Sequence, residues 1–137
     1  ASINKLPVKL KKTKIRKRYL NFLVQLTEDH KTVLEKRTEK GIWQHLYQFP
    51  MLESDTSISK KELLANSGLK KIHALKLKSV ELLNSKEILH KLTHQDLHVK
   101  FWIIQIKDDI NNGISWAEAQ SHAVPVVIAQ FIKTFNP

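Results

Sequence analysis

Apolar residues recur at every second position in three stretches of the chain, the spacing of a strand with one buried face. In "RYLNFLVQL", residues 18–26, Leu20, Phe22, Val24 and Leu26 share one face. "KEILHKLT" sets Ile88, His90 and Leu92 against Leu89, Lys91 and Thr93, and "HVKFWIIQI" sets Val99, Phe101 and Ile103 against Trp102, Ile104 and Ile106. Phe101 and Trp102 therefore face opposite ways, and the branched and aromatic content suits strands. "TEDHK" reads as a turn and "TVLEKR" as a strand returning beside the first. "GIWQHLYQFP" reads as a loop leading into a short strand, Tyr47 to Phe49, with Trp43, Tyr47 and Phe49 packing the core or covering a sheet face. Residues 70–85 read as irregular chain or a short strand.

Helical spacing appears in fewer places. "SKKELLANSG" is a short helix, with Ser59 and Glu62 spaced as a capping box and Gly68 placed just past the end. Ser115 caps a second short helix in "SWAEAQ". Val124, Val127, Ile128, Phe131, Ile132 and Phe135 form one apolar stripe of a last helix, with Pro125 in its first turn. Strands, helix, strands, helix describe an α+β domain, and 137 residues suit one core.

Charge adds an arm to this picture. The chain holds 23 Lys and Arg against 13 Asp and Glu. Eight of those cations, from Lys5 to Arg18, fall in the first 18 residues with no acid among them, so the remainder is nearly balanced. Residues 1–17 read as a basic arm or linker and residues 18–137 as the folded domain. A concentrated basic arm is the electrostatic footprint of a polyanion binder. No apolar run approaches membrane-spanning length, and a basic N-terminus without a following apolar block is not expected to be a signal peptide. With no cysteine, disulfides, thiolate metal sites and a cysteine nucleophile are excluded together.

"HKLTHQDLH" places His90, His94 and His98 four apart, the spacing of a metal-binding helix face. The alternation on both sides makes the stretch strand, turn and strand instead. The three imidazoles then do not share a face, Asp96 is the only carboxylate within the stretch, and no metal is expected.

"KKTKIRKRYLNFLVQL", "EKRTEKGIWQHLYQFP" and "HKLTHQDLHVKFW" follow one another in an order and spacing that resembles the C-terminal domain of MutY-type adenine DNA glycosylases, from about Leu6 to Phe135. The resemblance implies a Nudix-like fold, a mixed β-sheet flanked by helices. It also implies a role in base excision repair, recognising 8-oxoguanine opposite the adenine that an N-terminal domain excises. In that family the catalytic acids and a [4Fe-4S] cluster belong to the N-terminal domain, so neither catalytic residues nor a cofactor are expected in this chain. The implied partners are double-stranded DNA with an 8-oxoguanine:adenine mispair and the chain's own glycosylase domain. A monomer in the bacterial cytoplasm, associated with the nucleoid, is the matching expectation, with no membrane partner.

The same fold raises a rival, an active Nudix pyrophosphohydrolase acting on oxidised nucleotides. Such enzymes carry R-E-U-x-E-E-x-G-U, U being bulky and apolar, whose glutamates hold Mg²⁺. "KELLANSGL" occupies that frame: Lys61 stands for the Arg, Glu62 for the first Glu, and Gly68 and Leu69 close it. Ala65 and Asn66 stand where the paired glutamates belong, and Met51 and Leu52 replace the Gly-Gly that usually follows the Pro. A third alternative is a protein-interaction module with a basic arm.

The resemblance also assigns the hairpin. The family's His-x-Phe-Ser-His loop approaches the 8-oxoguanine; His94 and His98 match its histidines, while Asp96 and Leu97 replace its Phe and Ser. A reader must accept from N7–H or donate to O8, because guanine has neither group. His98 is the leading candidate and Gln95 the second, with Asp96, Thr93 and the backbone of residues 95–98 as further polar partners and Leu97 as an apolar contact. Lys11, Lys12, Lys14 and Arg16 are expected to grip phosphates or dock on the glycosylase domain.

Overall fold

The computed structural model describes residues 14–66, 69, 77–84, 86–107, 109–110, 112–135 and 137. At its centre β1 (Arg16–Leu26) lies between β5 (Met51–Ser54), which runs antiparallel to it, and β8 (Gln95–Ile106), which runs parallel. On the other side of β8, β6 (Leu77–Leu82) and β7 (Ile88–Lys91) pair with it antiparallel, end to end. The result is a mixed five-stranded sheet.

The period-two pattern sorts side chains to two cores. Leu20, Phe22, Val24 and Leu26 join Leu97, Val99, Phe101 and Ile103 beneath α3 (Val126–Thr134). Phe131 of that helix lies flat on Phe101, ring centroids 4.1 Å apart. The opposite face carries Leu23, Trp102, Ile104 and Ile106, covered by Leu63 of α1 (Lys60–Ala65). Strand β1 is thus buried over its last seven residues, because it lies inside the sheet with a core on each face.

The expected capping box at Ser59 forms, and the expected cap at Ser115 turns out to be a box as well. Ser59 and Glu62 exchange bonds at the start of α1, and Ser115 and Glu118 do so at the start of α2 (Trp116–Gln120). Pro125 sits one residue earlier than expected, at the cap position of α3, where its missing N–H costs nothing. Gly68 and residues 70–76 lie outside the described residues. Within 70–85, the short strand is β6.

"TVLEKR" does not return beside β1. Thr27 N–H donates to Lys31 O, and His30 takes a left-handed φ of 62° in the tight turn between them. Beyond it the segment splits into β2 (Lys31–Thr32), paired with β9 (Ile114–Ser115), and β3 (Glu35–Lys36), paired with β4 (Tyr47–Gln48). A hairpin strand would have needed an edge of β1, and β5 and β8 take both.

Two side-chain devices hold the sheet together. Asn84 fills the gap between β6 and β7: its Oδ1 accepts from Phe101 N at 2.9 Å and its Nδ2 donates to Val99 O at 2.9 Å. One amide side chain thereby stands in for a missing residue of strand. On the α1 face, Lys100 Nζ donates to Ile58 O at 2.8 Å, and Trp102 Nε1 donates to Asn21 Oδ1 at 3.1 Å. Asn21 Nδ2 donates in turn to Leu52 O. The loop ahead of α1 is thus tied to the sheet by a buried ammonium.

Candidate nucleic-acid interface

Parallel pairing puts two distant pieces of sequence side by side. Arg16 is the register partner of Gln95, and Arg16 N donates to His94 O at 3.1 Å. The start of the basic strand, with Lys14 exposed just ahead of it, therefore lies against the turn that joins β7 to β8. That turn is Leu92 to His94, closed by Leu92 N donating to Gln95 O, and Thr93 and His94 stand exposed at its tip. Strand pairing already includes Arg16 and Lys17. Lys11 and Lys12 lie outside the described residues.

On the α3 face of this end, Arg18 grips Glu53 with two bonds, Nε to Oε2 at 2.8 Å and Nη2 to Oε1 at 2.6 Å. Its remaining nitrogen, Nη1, donates to Gln95 Oε1 at 3.0 Å. The Arg18 hydrogen bonds hold the Glu53 carboxyl below its ordinary range against the opposing effect of burial, and the charges of Arg18, Arg16 and Arg37 add to this. The same hydrogen bond raises Arg18. A recess of about 340 Å³ opens beside the pair, with Arg37, Gln48 and Met51 in its wall. Gln48 Oε1 is enclosed and has no partner among the described residues.

The other face of the same end holds His98. Its ring stacks on Tyr19 with centroids 4.6 Å apart, and its Nδ1 lies 3.4 Å from Glu87 Oε1. Its Nε2 is enclosed and has no partner among the described residues. Asp96 sits in register between Lys17 and Lys91. His90 is on the opposite face to His98 and leans on Trp43 at 6.2 Å. The histidines diverge as the alternation requires, and among the described residues no three metal-binding side chains converge.

Two expectations at the hairpin are corrected. Leu97 has no exposed surface and cannot offer an apolar contact to a base; it belongs to the inward row with Val99 and Phe101. The backbone of residues 95–98 is not a set of free loop groups either, because β8 is paired with β1 on one side and, from Asp96 on, with β7 on the other. Of the expected readers, Thr93, His94 and Gln95 gather at the turn beside Arg16, while His98 and Asp96 turn to the other face. Arg18, Glu53 and Tyr19 were not singled out as site residues. Arg18 was lost in a run of cations, and its role depends on a parallel pairing that no local pattern encodes.

The helix α1 lies away from this end, on the second core. Glu62 Oε1 accepts from the Ser59 backbone N–H at 3.1 Å, so the one carboxylate of that frame caps its own helix. Ala65 provides no ligand and Asn66 no charge. These residues do not fit the Mg²⁺ site of a Nudix hydrolase. Among the described residues, no helix is long and apolar enough to cross a membrane.

The mixed sheet between α1 and α3 defines the class, and the sequence agrees with it. The NUDIX domain family matches residues 21–134, and the chain belongs to that family. No curated protein sequence matches it. Among solved structures, the C-terminal domain of mouse MUTYH, determined in complex with human PCNA, is similar at a TM-score of 0.60 and 15% identity, over 86% of this chain and 88% of that one. The MutT protein from Methanosarcina mazei Go1 is similar at 0.56 and 11% identity, over 89% and 94%. The NUDIX domain of Shewanella oneidensis NrtR, complexed with ADP ribose, is similar at 0.51 and 13% identity, over 93% and 90%. At these identities the likeness is one of fold.

Proposed function

We propose that this Nudix domain is the lesion-reading module of an adenine DNA glycosylase, recognising 8-oxoguanine opposite the adenine that a separate catalytic domain removes. The observation that carries the reading is the juxtaposition of Arg16 with the Thr93–Gln95 turn at one end of the sheet. A duplex needs cations for its phosphates and a polar reader for one base, and the phosphate contacts fix the register in which the reader works. The capped Glu62 and the absence of carboxylates at Ala65 and Asn66 argue against pyrophosphate hydrolysis. The fold similarity to the mouse MUTYH C-terminal domain is a further support.

In this reading the partners are DNA containing the 8-oxoguanine:adenine mispair and the glycosylase domain, which would hold the [4Fe-4S] cluster and the catalytic acids. The location is the bacterial cytoplasm, at the nucleoid. Discrimination rests on N7, an acceptor in guanine and a donor in 8-oxoguanine, and on the added O8. Phosphate contacts from Lys14 and Arg16 supply sequence-independent affinity that weakens steeply with salt.

Two assays on the chain test this. Fluorescence anisotropy should show tighter binding to a duplex with 8-oxoguanine opposite adenine than to the same duplex with guanine, by about fivefold or more. Incubation with 8-oxo-dGTP and Mg²⁺ should yield no saturable turnover. Equal affinity for the two duplexes, or enzyme-dependent release of pyrophosphate, would overturn the proposal and favour the hydrolase.

A further inference from the structure

The chain from Glu53 through Arg18 to Gln95 fixes the orientation of one amide. A guanidinium has only donors, so the atom of Gln95 that meets Arg18 Nη1 at 3.0 Å is its oxygen. Arg18 cannot swing away to release it, because Glu53 holds both Nε and Nη2 in a fork at 2.8 and 2.6 Å. Gln95 Nε2 consequently faces the other way, and it has no hydrogen-bond partner among the described residues. Two amide hydrogens are thus presented, in a fixed direction, by a half-buried side chain next to the exposed turn and in register with Arg16.

We propose that Gln95 is the specificity-determining donor to the O8 oxygen of 8-oxoguanine, and that Arg18 and Glu53 are the positioning residues that keep its amide hydrogens turned toward the base. This rests on the lesion-reading function proposed above. Guanine carries only a hydrogen at C8, so a donor held toward that position finds no oxygen to meet there. An amide free to rotate would present its oxygen to the base part of the time, which O8 repels. The lock removes that alternative. It also reassigns the leading role: His98, whose Nε2 is enclosed and whose Nδ1 faces Glu87, supports the opposite face of the hairpin.

The test measures binding of the chain to three duplexes, with 8-oxoguanine, guanine or 8-bromoguanine opposite adenine; 8-bromoguanine has bulk at C8 but no oxygen. Gln95→Met should lower affinity for the 8-oxoguanine duplex about tenfold and leave the other two unchanged. Glu53→Gln should lower the 8-oxoguanine preference by an intermediate factor, again without loss on guanine. Neither pattern follows from a general weakening of the fold, which would reduce all three affinities together. A measurement that needs no substitution accompanies these: the side-chain amide resonances of Gln95 in the ¹⁵N-labelled chain should shift on adding the 8-oxoguanine duplex and not the 8-bromoguanine duplex. If the wild-type chain shows no preference for 8-oxoguanine, the lesion-reading function fails. If it shows the preference but Gln95→Met retains it in full, or the Gln95 amide signals do not move, the lesion-reading function stands and the assignment to Gln95 is wrong.

Discussion

Replacing Asn84 with alanine should destabilise the domain far beyond what a half-exposed asparagine usually contributes. Its amide makes two bonds to β8, accepting from Phe101 N and donating to Val99 O, each at 2.9 Å. Both partner residues are fully buried, so neither group is exposed to solvent when the amide is removed. A buried donor or acceptor left unpaired costs about 1–3 kcal/mol. Asn84 itself is half-buried, so water entering its place recovers part of this, and a total of about 2–4 kcal/mol is expected. That is a large share of the roughly 5–15 kcal/mol by which domains are stable. Asn84→Asp keeps the acceptor for Phe101 N and loses the donor to Val99 O, so it should fall between alanine and wild type. Urea unfolding followed by tryptophan fluorescence reads the loss as a lower midpoint at unchanged slope. A loss under about 0.5 kcal/mol, the range of an ordinary surface substitution, would refute the idea that this amide completes the strand.

Other consequences can be checked on the same material. Phe131→Ala removes a ring that lies on Phe101 and meets Phe49, Trp116 and Phe135, and it should cost about 3–5 kcal/mol in urea unfolding; a cost near 1 would mean α3 is not the lid of that core. Ser59→Ala breaks the capping box of α1 and should cost about 1 kcal/mol, with no loss of duplex binding if the lesion is read at the other end. Glu53 has a lowered folded pKa, so its ionised form is the one the fold favours. Its contribution is present above the unfolded carboxyl value and is lost as pH falls through the folded one. The stability gap between wild type and Glu53→Gln should therefore hold steady from about pH 8 to about pH 5 and close in stronger acid. Because Glu53 is partly exposed, the gap should not exceed about 1 kcal/mol; a gap that widens in acid would contradict the ion-pair account.

The elements were legible where a local pattern forces them. Leu20 to Leu26 alternate because one face must meet a core, and Ser59 and Ser115 each have a glutamate three residues on to complete a cap. What the sequence concealed was pairing. Nothing between residues 27 and 37 reveals that both edges of β1 are already taken, so "TVLEKR" read as a hairpin partner when it is two fragments bonded elsewhere. Leu97 is the instructive error at the site. The inward alternation of Val99, Phe101 and Ile103 runs back through it, and that signal outweighs its place in a loop pattern taken from a resemblance. Gln95 could be nominated as a polar reader, but its partners Arg18 and Glu53 lie on strands whose adjacency is a tertiary fact.

The parallel pairing of β1 with β8 also governs when the protein can fold. Register partners along that ladder stand roughly eighty residues apart, so a large loop must close before the central ladder forms. During synthesis the apolar run from Leu20 to Leu26 emerges well before β8 and has only the short β5 to lean on until β8 has left the ribosome. Folding should therefore be late, cooperative and slow for a chain of this size, with β1 as the segment most in need of protection while it waits.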